Sequence, residues 1–140
     1  MNAVEKWYEV MKSNDMDELD KLLAEDVVFY SPVVFTPQKG KDITKMDLMA
    51  AGGVFGEGDK AEVSDNNKNQ SNFKYIKEII GEKSALLEFE SKMDGIYING
   101  VDLISWNEEG KITEFKVIVR PLQAVNMLHQ KMQTMLENMK

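Results

Sequence analysis

Apolar residues in the N-terminal part of the chain recur first at helical spacing and then in a continuous run. The spacing over 4–11 predicts an amphipathic helix, and three leucines within 19–23 predict a second, short helix. The apolar run 27–31 predicts a strand. Pro32 and Pro37 then predict an irregular, extended connection, because proline lacks an N–H group and restricts the residue before it.

A third helix is predicted to begin at Lys41-Asp42, to carry Ile43, Met46 and Met49 on one face, and to end at Gly52-Gly53. The polar segment 56–72, which is rich in glycine and asparagine, predicts a mobile loop.

From Phe73 onward the apolar residues recur with period two. The pattern predicts four strands joined by short hairpin connections, which makes them antiparallel neighbours. These strands are Phe73–Ile80, Ser84–Met93, Ile96–Trp106 and Lys111–Arg120. Pro121 suits the first turn of a last helix, whose apolar stripe runs through Leu122, Val125, Leu128, Met132, Met135 and Met139.

This element order predicts one α+β domain over residues 1–140, with helices on one face of a curved antiparallel sheet. The composition narrows its chemistry: the chain has no cysteine, one histidine (His129) and one arginine (Arg120). Cysteine nucleophiles, disulfides and cysteine-ligated zinc are therefore impossible, and we expect no metal and no cofactor. The net charge of −7 disfavours nucleic acid and anionic membranes as partners.

No apolar run approaches the roughly 18 residues of a membrane span, and the first residues lack the apolar core of a secretory signal. We therefore expect a cytoplasmic protein.

Two segments, together with the element order, resemble the NTF2-like superfamily, also called the SnoaL-like or cystatin-like α+β barrel fold. They are Met11–Val33 (MKSNDMDELDKLLAEDVVFYSPV) and Asp94–Pro121 (DGIYINGVDLISWNEEGKITEFKVIVRP). The resemblance implies a cone in which sheet and helices enclose one apolar pocket, commonly in a homodimer. The superfamily contains isomerases, hydrolases, cyclases and non-catalytic binders, so the fold alone does not give the function.

Ketosteroid isomerase, a member of this superfamily, resembles the first segment. The resemblance implies that Ser31 stands where that enzyme has its aspartate base, and a serine is no general base at neutral pH. The oxyanion-hole tyrosine falls at Trp7, or at Tyr8 with a one-residue shift. The protonated aspartate, which donates a hydrogen bond, falls at Asp102.

Epoxide hydrolases of the limonene type, which are similar in fold, use an Asp–Arg–Asp array. Asp102 matches one aspartate, whereas Gly100 stands at the arginine and Val117 at the second aspartate.

Asp102 shares its strand parity with Ile98, Ile104 and Trp106, so its carboxyl group is predicted to be buried or at a pocket wall. It is either a neutral acid that faces a ligand or a structural acid bonded to an amide, indole or tyrosine. Tyr30 is either its helper at the pocket wall or a half-buried core residue.

Several other polar residues have a structural interpretation that we prefer. Ser31 is a strand-end serine or a pocket hydroxyl, and the Glu88/Glu90 pair is on the outer or dimer face rather than an acid–base pair. Arg120 pairs across the sheet or clamps a carboxylate, and His129 is at the surface or an interface. The methionines of the last helix are expected to pack on the sheet in its first half and to contact an oligomer at its end.

The sequence thus predicts binding of a small apolar organic molecule, with Asp102 as polar anchor and Tyr30 as helper. The lining is expected to comprise Trp7, Val28, Tyr30, Ser31, Phe55, Phe89, Ile104, Trp106, Phe115 and Val117. One alternative is a cofactor-free isomerase or cyclase that uses Asp102 as acid/base and Tyr30 as hydrogen-bond donor. The other is a protein-interaction subunit, which would expose a large apolar patch.

Overall fold

The computed structural model describes residues 2–56 and 72–138 and confirms the predicted α+β order. Its elements are α1 (Ala3–Ser13), α2 (Met16–Leu22), β1 (Leu23–Tyr30), β2 (Gln38–Lys39), α3 (Lys41–Gly56), β3 (Lys74–Ile80), β4 (Ser84–Met93), β5 (Ile96–Trp106), β6 (Ile112–Arg120) and α4 (Leu122–Asn138). The short strand β2 is additional to the predicted elements. Most of the predicted mobile loop 56–72 lies outside the described residues.

Short polar side chains set the limits of the first two helices. The Asn2 side-chain oxygen accepts a hydrogen bond from the Glu5 backbone N–H at 2.8 Å, and α1 ends at Asn14, which has a φ of 56°. The Asp15 carboxylate accepts from the backbone N–H of Asp17 at 2.9 Å and so caps α2. These caps satisfy backbone donors that have no partner within the helix.

The strands form one sheet in the order β2-β1-β6-β5-β4-β3. The meander β3–β6 is antiparallel throughout, as predicted. The sheet as a whole is mixed, however, because β1 runs parallel to β6. The expectation of a wholly antiparallel sheet is corrected here: a hairpin can only join antiparallel neighbours, whereas β1 and β6 are joined through α3 and the meander.

The concave face of the sheet carries two apolar clusters. The first lies under α1 and α2 and includes Leu87, Ile104 and Phe115; the second lies under α4 and includes Phe89 and Ile98. Tyr75 and Val117 pack against both clusters and so mark the boundary between them.

A register shift in β3 decides which of its side chains face the interior. Tyr75 pairs with Phe89 and Glu78 pairs with Leu87, with the irregularity between residues 75 and 77. Phe89 and Leu87 both belong to the buried face of β4. A bulge adds one residue to one strand, so Tyr75 and Glu78 reach the same face although an odd number of positions separates them.

The predicted apolar face of α3 is wrong. Met46 and Met49 are each 42% exposed, and the buried positions are Thr44, Asp47, Leu48, Ala50 and Val54. The helix also continues through Gly52-Gly53 instead of ending there. At Gly53 a Cβ atom would lie 2.9 Å from Cε of Met135, so the end of the Met135 side chain occupies the space beside this glycine.

The last helix packs through more of its length than predicted. Ala124, Met127 and Leu128 are buried, and Met132 and Met135 also pack against the second cluster. The expected oligomer contact at the end of α4 stays a prediction, and Met139 lies outside the described residues. None of the helices in the described ranges is long and apolar enough to cross a membrane.

We expect Gly100→Ala to destabilise the fold by about 1–3 kcal/mol. A Cβ atom there would lie 2.5 Å from Cζ of Phe89 and 2.7 Å from the Ile118 carbonyl oxygen, so ring and strand would both have to move. Gly52→Ala is the matched control, because its Cβ would have no neighbour within 4 Å in a helix. Alanine should stabilise that helix by roughly 0.5–1 kcal/mol. Urea denaturation measures both, and a Gly100→Ala midpoint at or above wild type would contradict the packing described.

Candidate functional site

Asp102 lies at the centre of β5 on the concave face, between the two apolar clusters. Its neighbours across the sheet are Leu87 on β4 and Val117 on β6. The residue is 6% exposed, so its carboxyl group is almost completely removed from water. Gly100 is the next residue on the same face of β5, and its missing side chain leaves the space that the Phe89 ring occupies. An arginine side chain, as the resemblance to epoxide hydrolases would require, has no room there.

A chain of hydrogen bonds connects α1 to this carboxyl group. The Trp7 indole Nε1–H donates to the Tyr75 hydroxyl oxygen at 3.0 Å, and the Tyr75 hydroxyl donates to Oδ2 of Asp102 at 2.5 Å. The helix supplies the indole, and the bulge in β3 turns Tyr75 inward. Tyr75 thereby uses both its proton and an acceptor lone pair within the protein.

Burial raises the pKa of Asp102 to about 7, although the hydrogen bond from Tyr75 acts in the opposite direction. Desolvation penalises the ionised form of a carboxyl group, whereas a donated hydrogen bond favours that form. Burial and the neighbouring Asp102 also raise the pKa of Tyr75 well above its ordinary value, so the tyrosine is neutral. Near neutral pH, Asp102 therefore exists both as a hydrogen-bond donor and as a carboxylate.

A second polar pair lies beside this chain. The Tyr8 hydroxyl donates to Oε2 of Glu78 at 2.6 Å, and the rings of Tyr8 and Tyr75 are 5.6 Å apart. Burial and the Glu78 carboxylate raise the pKa of Tyr8. Both residues that the resemblance offered for the oxyanion-hole position, Trp7 and Tyr8, thus lie near Tyr75.

Most of the predicted lining residues lie on the concave face of the sheet or on the helices that pack against it. Trp7, Phe89, Ile104 and Phe115 are buried there; Phe55, Trp106 and Val117 are half-buried and pack against the same clusters. Trp7 and Phe115 make an edge contact with ring centroids 4.9 Å apart.

Tyr30 and Val28 are on the other face, which corrects their predicted position. Their register with β6 pairs Val28 with Glu114 and Tyr30 with Lys116, whereas the buried Phe29 pairs with the buried Phe115. Residues paired in register share a face of the sheet, so Tyr30 does not reach Asp102. Ser31 lies beyond the strand, where its hydroxyl accepts from the Val33 backbone N–H at 3.1 Å.

Sequence reasoning missed Tyr75, the residue that does contact Asp102. The available signal was the aromatic pair Phe73 and Tyr75 on one parity of a predicted strand. The bulge was the obstacle, because it cannot be read from alternation alone.

Sequence reasoning also missed Asp47 on α3. This residue is 8% exposed, and among residues 2–56 and 72–138 its Oδ2 atom has no hydrogen-bond partner, as is also the case for Oγ1 of Thr44 one turn earlier. Burial raises the pKa of Asp47 to about 6.

The outer face of the sheet holds the remaining polar candidates. Arg120 Nε donates to Asn99 Oδ1 at 2.9 Å, and Asn99 Nδ2 donates to Glu88 Oε2 at 2.9 Å. The Tyr97 hydroxyl donates to Glu90 at 2.6 Å. His129 is exposed on α4. Within residues 2–56 and 72–138, no cluster of three histidine, cysteine or acidic residues could hold a metal ion.

Solved structures of similar fold include both enzymes and proteins of unknown activity. A steroid delta-isomerase from Pseudomonas aeruginosa is 25% identical, with a TM-score of 0.82 and coverage of 97% of this chain and 90% of that chain. A bacterial protein with a cystatin-like fold from Silicibacter pomeroyi is 30% identical, with a TM-score of 0.76 and coverage of 94% and 83%.

The epoxide hydrolase/cyclase-like enzyme SalBIII, which functions in pyran ring formation in salinomycin, is more distant. It is 15% identical, with a TM-score of 0.61 and coverage of 84% of this chain and 88% of that chain. No protein-family model matches the sequence, and no curated protein matches it.

The raised pKa of Asp102 predicts a fold that loses stability as pH rises. The carboxyl pKa is 3.8 without burial and about 7 in the folded state, so between these values the folded state binds the extra proton. The free energy of unfolding then falls by up to about 1.4 kcal/mol per pH unit from this group. We expect Asp102→Asn, which can still accept from Tyr75, to flatten this decline and to be more stable than wild type at pH 8.

Urea denaturation at a series of pH values measures this effect. Asp47→Asn should remove a smaller decline of the same sign, since the pKa of Asp47 is raised to about 6. Asp26→Asn, at an exposed position on β1, is measured alongside as the control substitution. An Asp102→Asn profile that parallels wild type across this range would show that Asp102 is ionised in the folded protein.

Proposed function

Because this chain belongs to the NTF2-like superfamily, and because its concave sheet face carries one desolvated acid between apolar clusters, we propose that it binds a small apolar organic molecule anchored by Asp102. The observation that carries this proposal is the hydrogen-bonding state of the Asp102 carboxyl group. Tyr75 engages Oδ2 and leaves Oδ1, among the described residues, without a protein partner.

The chemistry of that oxygen defines the ligand. When Asp102 is protonated, the hydroxyl group at Oδ1 can donate a hydrogen bond that does not involve Tyr75. Such a donor suits a carbonyl or ether oxygen on an apolar molecule. Tyr75 cannot serve the same ligand group, because its proton is already given to Asp102. The anchor is therefore one group, surrounded by aromatic and aliphatic side chains such as Phe89, Phe115 and Val117.

A cofactor-free isomerase or cyclase is the second candidate function. The observation that favours it is the pKa of Asp102 near 7, which suits an acid/base group at neutral pH. Tyr75 would then orient the Asp102 carboxyl group rather than donate to the substrate, the role first assigned to Tyr30. The serine at position 31, where an aspartate base would be needed, argues for binding without turnover.

Androstenedione, an apolar ketone, is a suitable probe for the pH dependence of binding. We expect its affinity to be highest below pH 7, because only protonated Asp102 donates to the ketone. Above pH 7 the affinity should fall by up to about tenfold for each pH unit. Tyr75→Phe should move the midpoint of this affinity change to higher pH. The reason is that the hydrogen bond from Tyr75, which the variant lacks, stabilises the ionised form of Asp102 in wild type. Equilibrium dialysis or calorimetry between pH 5 and pH 9 measures both, a range chosen to span roughly two units on each side of the midpoint.

Two variants of Asp102 serve as controls. Asp102→Asn keeps a donor and should bind without pH dependence, whereas Asp102→Leu should bind weakly at every pH. Equal affinity of Asp102→Leu and wild type, or affinity that rises with pH, would contradict the proposal. Conversion of the unconjugated isomer of the probe into the conjugated ketone, lost in Asp102→Asn, would favour the isomerase instead.

We also propose that the chain forms a homodimer through the outer face of its sheet. Ile79, Leu86 and Leu103 stand in register across β3, β4 and β5 on that face. Ile79 is 61% exposed, and its two neighbours are half-buried. A row of apolar side chains open to water is typical of a protein contact surface.

Ile79→Lys is expected to convert the dimer into a monomer, because it replaces the most exposed apolar side chain of this row with a charge. Leu122→Lys is the control: Leu122 is 73% exposed at the start of α4, outside the proposed contact. Light scattering over a range of concentrations gives the molecular mass. A wild-type monomer at all concentrations, or an Ile79→Lys dimer, would disprove the proposed interface.

A further inference from the structure

A groove opens where β1 and β6 separate. Their described pairing ends at Tyr30–Lys116, whereas β6 continues to Arg120. The segment after β1, which carries Pro32 and Pro37, forms the opposite wall. The cavity measures about 410 Å³, which is within the size range of small-molecule sites.

The walls of this groove are apolar and conformationally restricted. Pro32 and Pro37 have fixed φ angles, so the segment between them has less freedom than an ordinary loop. Phe35 at the rim is 99% exposed and Val34 is 44% exposed. Large apolar side chains that are exposed to water beside a cavity indicate a surface that a ligand or a partner covers.

A cation stands at one side of the groove. The Lys116 ammonium group lies 4.8 Å from the centre of the Tyr30 ring, and the lysine is half-buried. Lys41, Lys45, Lys74 and Lys83 each form an ion pair with an acidic side chain, but Lys116 has no carboxylate within 4.0 Å among residues 2–56 and 72–138. Its charge is therefore available to an anion, and Tyr30 restrains the side chain that carries it.

A neutral donor is present in the same place. The Ser31 hydroxyl accepts from the Val33 backbone N–H, and among residues 2–56 and 72–138 its own proton has no acceptor. Ser31 and Lys116 both line the groove, so a carboxylate there could receive one charged and one neutral hydrogen bond.

We propose that this groove binds a small carboxylic acid with an apolar body, whose carboxylate contacts Lys116 and Ser31 while its body packs against Pro32, Phe35 and Pro37. This site differs from the one proposed around Asp102 in its polar residues: Tyr30 and Lys116 share the outer face of the sheet, Asp102 faces the interior, and Val117 borders both sites. The two proposals can therefore fail independently.

Phenylbutyrate and its uncharged amide, phenylbutyramide, are the matched probes. In an NMR titration of backbone amides, phenylbutyrate should produce saturable shifts in residues 30–37 and 116–119. The amide should bind roughly tenfold more weakly, because it lacks the charge that Lys116 recognises. Lys116→Gln should weaken phenylbutyrate binding by a similar factor and leave the amide unaffected.

Lys92→Gln is the matched control variant, because Lys92 is an exposed lysine of β4 on the same face of the sheet as Lys116 and lies outside the groove. This variant should bind phenylbutyrate as wild type does. The proposal is overturned if the amide binds as well as the acid, if Lys116→Gln has no effect, or if the shifts map to Leu87 and Asp102. It is equally overturned if no saturable binding occurs, or if a second copy of the chain covers residues 30–37.

Discussion

The hydrogen bond from Tyr75 to the buried Asp102 is the contact on which the arrangement of the concave face depends. It joins β3 to β5 across β4, and the donation from Trp7 to Tyr75 extends it to α1. For the bond to form, β3 must carry its bulge so that Tyr75 points inward. Helix α1 must also lie over the sheet so that the Trp7 indole packs on Phe115.

Burial of the Asp102 carboxyl group has an energetic cost, which is visible in its raised pKa. A carboxyl group removed from water favours its neutral form, and one hydroxyl donor offsets only part of the desolvation, so the pKa stays near 7. Asp47 shows the alternative: it is buried, its Oδ2 atom has no partner in the part of the chain that the structure describes, and its pKa is raised by burial. Asp102 differs because an aromatic network fixes its position and leaves one oxygen available, which is the arrangement that a ligand-binding acid requires.

The sequence predicted the elements and Asp102 well, for local reasons. Helical spacing and period-two alternation are encoded over a few residues, and an acid among Ile98, Ile104 and Trp106 is recognisable from parity alone. The face of β1 was not predictable in this way. Its residues 27–30 are all apolar or aromatic, so only the register with β6 decides that Phe29 points inward and Tyr30 outward.

Two further features depend on tertiary packing and were beyond the pattern. The bulge in β3 shifts parity by one residue, which concealed Tyr75 as the partner of Asp102. In α3 the buried face includes Thr44 and Asp47 while Met46 and Met49 are exposed, the reverse of what hydrophobicity predicts. Tyr75 and Asp47 were missed because both lie where the structure departs from local rules. Such departures concentrate at functional or strained positions.

The central claim is that Asp102 is a neutral acid over part of the physiological pH range. Carbon-13 NMR of the aspartate side-chain carboxyl groups tests it directly, with the Asp102 resonance assigned by its absence in the Asp102→Asn protein. We predict a titration midpoint near pH 7 for this resonance in wild type. A midpoint at or below about pH 4, the ordinary value for aspartate, would show that Asp102 is ionised in the folded protein and would contradict the account.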